Sequence, residues 1–294
     1  AQKDSFVLKP SDVVRQVREA GVRQVTLQGG LNPDLGLPYH IDMLRTVKSE
    51  LPSVHIHGYS PAEIYFVARR SRTSAMDVLK RFRDAGLDSL SGDSADILND
   101  KVRKKICSDK LRTNDWAEII KTAHRMGITT TATILFVHVE DEIYICEHLE
   151  IIKNIQRETA RITAFEPLVF MPQRTDLARS AKIRHPIAAT RVLQMYAVAR
   201  IFFNRLIKNI TVDWSKTGFD LALRAMSCGA NDLGPLGYDP FEIRLPSLNG
   251  RGGLAASSVR SAISKAGRTP SEREPHHLRI PAPSAPKREE LVMA

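Results

Sequence analysis

The chain has 294 residues, of which 43% are apolar, and a formal net charge of +10 at pH 7. No apolar run has the length of a membrane-spanning helix and no segment resembles a secretory signal, which excludes an integral membrane protein and predicts a globular one. Three scattered cysteines, Cys107, Cys146 and Cys228, match no disulfide or zinc spacing and favour a reduced, cytoplasmic location.

Predicted strands and helices alternate along the chain with a period of about thirty residues. The first helix is predicted over Ser11–Ala20, with Ser11 as its N-cap and Gly21 at its end. The pattern then predicts strands at Gln24–Gln28, Val54–His57, Leu87–Leu90, Thr129–Glu140, Ile162–Phe170, Asn209–Trp214 and Gly229–Leu233. Further helices are predicted at Tyr39–Leu51, from Pro61 with Ser60 as its cap, and at Ser74–Ala85, Asn114–Met126, Glu142–Thr159, Ala188–Leu206, Gly218–Ser227 and Ser257–Ala266.

The strand Thr129–Glu140 shows the repeating unit most clearly. It is a β-branched, apolar run with a helix on each side, and its polar residues His138 and Glu140 stand at its exit. A strand between two helices with a polar exit is typical of a parallel α/β barrel, and right-handed crossovers then require a parallel sheet. The sequence therefore predicts an α/β fold, a TIM-type (β/α) barrel that lacks its first strand.

Composition divides the chain into three parts. We expect a barrel over residues 1–234, then a lid loop rich in Gly, Pro and Asn with a C-terminal helix that completes the barrel over 235–269. Residues 270–294, rich in Pro, His and charge, are predicted to be a disordered tail. Because the chain begins with Ala1, we expect a processed chain or, preferably, a fragment of a longer reading frame.

The basic run Lys101–Arg112 is the densest cluster of positive charge. It carries no interleaved aromatic residues, so it predicts a solvated face and no nucleic-acid partner. A basic protein can equally attract an anionic small molecule.

Polar or glycine residues stand at nearly every strand end, where barrel enzymes place their chemistry. These ends are Gln28-Gly29-Gly30, His57 with Tyr59, Gly92-Asp93-Ser94, His138 with Glu140, Met171-Pro172-Gln173, Asp213 with Ser215, and Asn231-Asp232. The pattern favours an enzyme over a plain scaffold. Gly29-Gly30 and Gly92 would let the backbone approach a nucleotide, although tight turns without a ligand explain either site equally well.

His55 and His57 alternate with apolar residues, so both are predicted to point into the lumen. With His138 and Asp232 they could form a hydrolase metal site. In barrel hydrolases, however, such a His-x-His pair lies on the first strand. Hydrogen-bonded lumen histidines are therefore the favoured interpretation, and no metal ligands are predicted in this chain.

Several blocks of sequence, in this order, resemble one family of radical S-adenosylmethionine (SAM) enzymes. The blocks are Val25–Asp34, His55–Ile64, Ala85–Ser91, Thr122–Gly127, His138–Glu140 and Gly229–Gly234, within a resemblance that covers about Phe6 to Pro275. The family contains the FO synthase subunit that joins tyrosine to a ribityl-uracil, and its menaquinone-pathway relatives. Cys228–Gly234 and the two segments Glu166–Leu168 and Phe170–Pro172 resemble the FO synthase branch most, whereas Gly58 and Leu27 lean toward the futalosine cyclase branch.

The resemblance implies a [4Fe-4S] cluster held by a C-x-x-x-C-x-x-C loop, with SAM bound to it. One electron from a donor cleaves SAM to a 5′-deoxyadenosyl radical, which oxidises L-tyrosine. The 4-hydroxybenzyl fragment then adds to 5-amino-6-(D-ribitylamino)uracil on the way to the deazaflavin FO of coenzyme F420. The resemblance also leaves room for a partner FO synthase subunit.

The resemblance also implies site residues. Gln28, Gly29 and Gly30 match the segment that meets the amino group of SAM, and Ser91, Asp93, Ser94, His138 and Glu140 match strand ends that border its ribose and adenine. The catalytic residues expected on the substrate side are His57, Asn231 and Asp232.

The chain departs from the family pattern at three places. The cysteine loop would lie upstream of Ala1, so we expect the chain by itself to bind no cluster. Val137 stands where the family usually has glycine and could crowd the adenine, and Ala160-Arg161 replaces a Gly-Gly turn. Two other classes stay open: a non-catalytic barrel scaffold, and a zinc hydrolase that uses His55 and His57.

Overall fold

A computed structural model describes residues 6–107, 111–172, 175–181, 183, 188–235 and 255–275. Six parallel strands form one sheet in the order in which they occur along the chain. They are β1 (Gln24–Leu27), β2 (His55–Gly58), β3 (Ser89–Leu90), β4 (Thr129–Phe136), β5 (Ile162–Val169) and β6 (Asn209–Ile210). Sequential parallel order is the winding of a (β/α) barrel, which confirms the predicted fold class. Within the described ranges, β1 and β6 are the two edges of the sheet.

Helices connect every pair of successive strands, as the alternation predicts. They are α1 (Pro10–Ala20), α2 (Leu37–Glu50), α3 (Pro61–Arg70), α4 (Ala75–Asp84), α5 (Asp100–Ile106), α6 (Thr113–Arg125), α7 (Glu142–Thr159), α8 (Asp176–Ser180), α9 (Ala189–Phe203), α10 (Trp214–Thr217), α11 (Phe219–Ser227) and α12 (Ala256–Lys265). Over the part of the chain that the structure describes, no helix is both long enough and apolar enough to span a bilayer.

The helix ends follow local chemistry, with one exception to the prediction. At α3, Ser60 and Glu63 form a capping box, which confirms Ser60 as the cap. At α1, the predicted N-cap Ser11 is wrong: the helix begins at Pro10 with Lys9 as N-cap. Proline lacks an N–H, so it fits the first turn, where that group has no helical partner. Gly21 closes α1 in the left-handed region, with φ 60°.

The last two predicted strands are shorter in the structure. β6 ends at Ile210, and Gly229–Leu233 contributes one isolated bridge, between Thr211 and Asp232. Two side chains take over the backbone partners: Asn231 Oδ1 accepts the Ile210 N–H at 2.8 Å, and Asp213 Oδ1 accepts the Ser215 N–H at 3.0 Å. The first contact replaces a ladder bond and the second starts α10.

The main core lies between the sheet and the surrounding helices. On β5, the Phe165 ring packs 4.8 Å from that of Phe203 on α9, and both side chains are fully buried. The Tyr196 hydroxyl on α9 donates to the Pro167 carbonyl at 3.2 Å. Because side chains alternate along a strand, Phe165 facing the helices turns Glu166 toward the opposite face of the sheet.

The C-terminal segment returns to the barrel. Arg23, next to β1, pairs with Glu272 at 2.8 Å and with Glu274 at 3.2 Å, and Arg273 Nε lies 2.7 Å from Asp232 Oδ2. Residues 270–275, which composition places in a tail, therefore contact both sheet edges. The rest of the predicted tail, 276–294, and the predicted lid loop beyond Pro235 lie outside the described residues.

Candidate active site

Carboxylates from four segments converge at the carboxyl ends of the strands. Asp93 follows β3, Glu166 lies on β5, Asp213 follows β6, and Asp232 forms the isolated bridge with Thr211. Burial, reinforced by the charges of Asp213 and Asp93, raises the pKa of Glu166 to about 8. We call this carboxyl-rich region the acidic mouth, although at neutral pH Glu166 is largely protonated and carries little charge.

Two cations pair with members of this group: Arg273 with Asp232, and Lys216 with Asp213. We consider Lys216 further because of its place beside Glu166. Its Nζ lies 2.8 Å from Asp213 Oδ2. Burial by itself would lower the pKa of Lys216, but the charge of Asp213 and its hydrogen bond outweigh burial and raise that pKa. With Lys216 and Arg273 both charged, the four carboxylates carry excess negative charge only when more than two of them are ionised. A cationic ligand in the mouth would favour that ionised state.

Three predicted cofactor-binding residues come together at one side of the mouth. Gln28 Nε2 donates to Asp93 Oδ2 at 3.0 Å, and the Asp93 N–H donates to Ser91 Oγ at 3.3 Å. The Trp116 indole fixes the same loop by donating to the Asp93 carbonyl at 3.1 Å. Burial raises the pKa of Asp93, while hydrogen bonds from the Ser91 and Gln28 side chains to its carboxylate and the charge of Lys216 oppose the shift.

The glycines at the mouth serve two different purposes. A Cβ at Gly29 or Gly30 would meet no atom within 4 Å, so these residues leave open space beside the backbone for a ligand. A Cβ at Gly92 would lie 2.1 Å from the Thr131 carbonyl oxygen, so packing against β4 alone requires that glycine. Packing thus explains Gly92 without a ligand, whereas a role of Gly29-Gly30 in ligand binding stays a prediction.

The loop that carries Ser94 is held by a buried arginine. Arg103, 3% exposed, donates to the carbonyls of Ala95, Leu111 (2.7 Å) and Ser94 (3.2 Å). Ser94 itself lies in the left-handed region with φ 60°. Arg103 thus corrects the prediction that the basic run is wholly a solvated face: one of its members is a structural centre.

His138 and Glu140 form a closed turn at the end of β4. The Glu140 carboxylate accepts the N–H groups of Val137 (2.6 Å) and His138 (2.8 Å), while His138 Nε2 donates to the Leu135 carbonyl at 2.9 Å. Their side chains are 0% and 3% exposed. In this conformation both side chains shape the turn, and the turn can offer a ligand only its backbone and its neighbouring residues.

Val137 occupies a backbone conformation that suits glycine. Its φ is 68°, in the left-handed region that β-branched residues rarely adopt. Ala160, which replaces the first residue of a Gly-Gly turn in the family pattern, likewise has φ 53° as the C-cap of α7. Both departures from the family pattern therefore store backbone strain.

Val137→Gly should raise the free energy of unfolding by about 1 kcal/mol, because relief of the strained φ exceeds the added entropy of the unfolded chain. Urea unfolding of the variant and the wild type measures this difference. Val137→Ala is the matched control, since it removes the branched methyls without granting left-handed freedom. An equal gain from both variants would show that crowding, rather than backbone strain, is the cause.

The two histidines of β2 share one hydroxyl. His55 Nε2 and His57 Nδ1 each lie 2.7 Å from Ser89 Oγ on β3, and the fully buried Ile56 points to the other face. The prediction of hydrogen-bonded histidines is confirmed. In the described part of the chain, no three His, Cys, Asp or Glu side chains are grouped so that they could hold a metal ion.

The structure separates Asn231 from Asp232. The Asn231 amide oxygen accepts from Arg200 Nη2 at 2.9 Å and from the Ile210 N–H, so its contacts support the edge of the sheet. Asp232 accepts from Thr211 Oγ1 at 3.2 Å and from the Gly234 N–H at 2.8 Å, and it contributes to the charge around Glu166. Only Asp232 of this pair belongs to the acidic mouth.

Glu166 and Lys216 were not among the predicted site residues. A glutamate inside the apolar run Ile162–Val169 was the available signal for Glu166, since a charge in a buried strand needs a reason. Lys216 offered only its spacing of three residues from Asp213, a common surface pattern, and its position in the mouth depends on the short helix α10.

The residues present fit SAM but not an iron–sulfur cluster. SAM carries a sulfonium and an ammonium group, which suit the acidic mouth, and the open space at Gly29 and Gly30 admits its backbone contacts. A [4Fe-4S] cluster needs closely spaced thiolates. Cys107 directly follows α5, Cys228 directly follows α11, and Cys146 is exposed on α7, so the three thiols lie at separate places in the fold.

Known families match both halves of the chain. Residues 1–152 match the radical SAM superfamily and residues 159–284 match the CofH/MqnC C-terminal region. The methylornithine synthase structure has a TM-score of 0.64 at 16% identity and covers 90% of this chain and 73% of its own. The structure of SuiB of Streptococcus suis bound to S-adenosylmethionine has a TM-score of 0.50 at 13% identity, and it covers 72% of this chain and 44% of its own. These structures support the barrel fold.

Sequence relatives are more specific. The 5-amino-6-(D-ribitylamino)uracil–L-tyrosine 4-hydroxyphenyl transferase 1 of Methanosarcina barkeri is 37% identical over 92% of this chain and 73% of its own length. The transferase of Methanothermobacter thermautotrophicus is 39% identical to this chain over 80% of the chain and 65% of its own length. That of Methanopyrus kandleri is 35% identical over 92% of the chain and 74% of its own length. The chain belongs to the radical SAM superfamily, whose members use a [4Fe-4S] cluster and SAM, and within it to the family of these 4-hydroxyphenyl transferases.

Proposed function

We propose that this chain is the barrel of a radical SAM transferase that joins the 4-hydroxybenzyl group of L-tyrosine to 5-amino-6-(D-ribitylamino)uracil in FO formation. The observation that carries this proposal is the acidic mouth of a protein whose net charge is +10. SAM carries a sulfonium and an ammonium group, tyrosine carries an ammonium group, and the uracil presents amine N–H donors. Carboxylates at the mouth attract the cationic groups and accept hydrogen bonds from the N–H donors.

SAM is assigned to the side of the mouth formed by β1 and β3. Gln28, Asp93 and Ser91 are connected there by hydrogen bonds, next to the open backbone of Gly29 and Gly30. Ser94 lies on the same loop, which Arg103 holds in place. When bound, SAM supplies a carbon-centred radical that can abstract a hydrogen atom.

The tyrosine and uracil side is assigned to β5 and β6. With a pKa of about 8, Glu166 is largely protonated at neutral pH, and in its ionised fraction it would accept a proton from a substrate amine. Asp232 and the pair of Lys216 with Asp213 border this side and can hydrogen-bond to the uracil. The contacts of Asn231 with the backbone at the sheet edge give it a positioning role. His57 lies on β2, outside this side of the mouth, and is held by its hydrogen bond with Ser89.

Gly58 does not favour the futalosine cyclase branch. A Cβ at this position would lie 2.7 Å from the Leu27 carbonyl oxygen, so the close approach of β1 and β2 requires glycine whatever the substrate. For Gly58 the lean toward that branch therefore has a structural cause, whereas Leu27 still leans toward it. The transferase remains the function that the site supports best.

The test is product identity. The protein encoded by the open reading frame that contains this chain is purified without oxygen and given SAM, dithionite, tyrosine and the ribityl-uracil. It should form 5′-deoxyadenosine and a uracil–hydroxybenzyl adduct, both detected by mass spectrometry. Asp232→Ala should lower adduct yield at least tenfold while some uncoupled SAM cleavage persists, because Asp232 lies on the substrate side. Exposed Asp220→Ala on α11 is the matched control. A cyclic product from a futalosine derivative, without tyrosine consumption, would refute the proposal.

A further inference from the structure

A basic groove lies along the outer side of α3, outside the acidic mouth. Its cavity of about 470 Å³ is lined by Leu31, Tyr65 and Phe66 together with three arginines, Arg69, Arg70 and Arg72. All three arginines are exposed. Within the described ranges, none of them takes part in an ion pair. The groove therefore carries a concentrated positive charge that no described carboxylate neutralises.

Helix chemistry explains part of this charge. Basic residues are favourable in the last turn of a helix, where the dipole is negative, and this accounts for Arg69 and Arg70. Arg72 lies beyond the helix with φ 51°, in a left-handed position where glycine is the usual residue. Its N–H donates to the Arg69 carbonyl at 3.2 Å. Arg72 thus adds a third guanidinium to the groove, in a backbone conformation that costs conformational energy and that glycine would adopt without strain.

The groove is also preorganised. The Arg69 guanidinium carbon lies 5.6 Å from the centre of the Tyr65 ring, and Arg69 Nη1 donates to the Tyr65 hydroxyl at 3.1 Å. Leu31 is 44% exposed at the edge of the groove. Arginine and tyrosine are among the residue types enriched at the hot spots of protein interfaces.

The groove adjoins the cofactor side of the mouth. Leu31 follows Gly30 directly, and Glu63 on α3 accepts the Gly29 N–H at 3.1 Å. A molecule seated in the groove therefore contacts the rim next to the segment assigned to SAM. Guanidinium groups bind carboxylates in a bidentate manner, which favours an acidic protein surface over a neutral one.

We propose that this groove is the docking surface for an acidic partner protein, of the class of small one-electron carriers. The proposal rests on the proposed function, because radical SAM chemistry consumes one electron that a reduced carrier must supply and be oxidised in doing so. The three arginines would pair with carboxylates of the carrier, while Leu31 and Tyr65 provide apolar contact beside them. Electrostatic pairing of this kind predicts fast, salt-sensitive association.

The test uses an acidic flavodoxin as the probe. Its affinity for the protein is measured by surface plasmon resonance at 50 and 200 mM salt, for the wild type and for Arg69→Glu/Arg70→Glu/Arg72→Glu. The matched control is Arg157→Glu/Arg205→Glu/Arg224→Glu, which changes the same charge at exposed positions on or next to α7, α9 and α11. We expect the groove variant to lose at least tenfold in affinity at 50 mM salt and the control less than threefold.

The proposal would be overturned if flavodoxin did not bind the wild type, or if the two variants lost equal affinity for flavodoxin. It would also be overturned if the groove variant lost binding of a single-stranded oligonucleotide while its flavodoxin binding stayed intact. Circular dichroism checks that both variants fold. With dithionite as the reductant, the groove variant should form adduct at the wild-type rate, and with reduced flavodoxin it should be slower. Absence of adduct with dithionite in the wild type would refute the proposed function and leave the docking measurement to stand by itself.

Discussion

Arg103→Met should lower the free energy of unfolding by about 3 kcal/mol. The substitution keeps much of the side-chain volume but removes the donors to the carbonyls of Ser94, Ala95 and Leu111. Carbonyls left buried without a partner cost about 1–3 kcal/mol each, reduced where water can enter the loop. Because Ser94 and Asp96 hold positive φ values in the same loop, loss of Arg103 should also loosen the segment that carries Asp93.

Urea unfolding followed by circular dichroism measures the loss. Lys104→Met is the matched control, since Lys104 is the next residue on α5 but is exposed, and its substitution should change stability by less than about 0.5 kcal/mol. Arg103→Lys should recover only part of the loss, because an ammonium group cannot reach three carbonyls with the geometry of a guanidinium. A loss of equal size in the Lys104 variant would show that Arg103 has no special structural role.

Glu166→Gln should stabilise the protein at pH 8 by about 2–3 kcal/mol and abolish adduct formation. The pKa of Glu166 is raised from 4.5 to about 8 in the folded protein, mainly by burial. Between these two pH values the unfolded chain has lost the proton and the folded chain keeps it, so the folded state binds more protons and stability falls as pH rises. The full shift would correspond to nearly 5 kcal/mol, reduced here because Glu166 keeps part of its surface accessible.

Glutamine cannot ionise, so the variant lacks this decline. Urea midpoints at pH 5 and pH 8 should therefore differ less for Glu166→Gln than for the wild type. Exposed Glu19→Gln on α1 removes one charge without removing a buried carboxyl, and it should follow the wild type at both pH values. If Glu166→Gln and the wild type show the same pH dependence, the carboxyl group does not hold its proton above pH 4.5.

Gain of stability together with loss of activity is the expected signature of a functional carboxyl group. Burying an ionisable side chain among other carboxylates costs folding energy, and a protein retains such a group where its chemistry is used. If Glu166→Gln instead kept full adduct yield, another mouth residue would have to accept the substrate proton. Asp213→Asn, tested in the same assay, would then identify it.

Local sequence determined the fold class and most helix ends. The period of the apolar runs predicts alternating strands and helices, and short-range chemistry such as the capping box of Ser60 with Glu63 depends only on residues three apart. The family glycines missing at Val137 and Ala160 pointed to two positions whose φ is positive in the structure, because backbone conformation is a local property. The strand ends that carry Gln28, Ser91 and Asp93 were found for the same reason.

Only the tertiary structure decided which of the strand-end residues share one site. Asn231 and Asp232 are adjacent in sequence, yet Asn231 contacts Arg200 and Ile210 while Asp232 borders the mouth, since successive side chains point in opposite directions. Glu166 and Lys216, fifty residues apart, meet because β5 and α10 end at the same rim. The protonation and the role of a buried charged group depend on neighbours that are distant in sequence, and only the packing of the barrel brings these neighbours together.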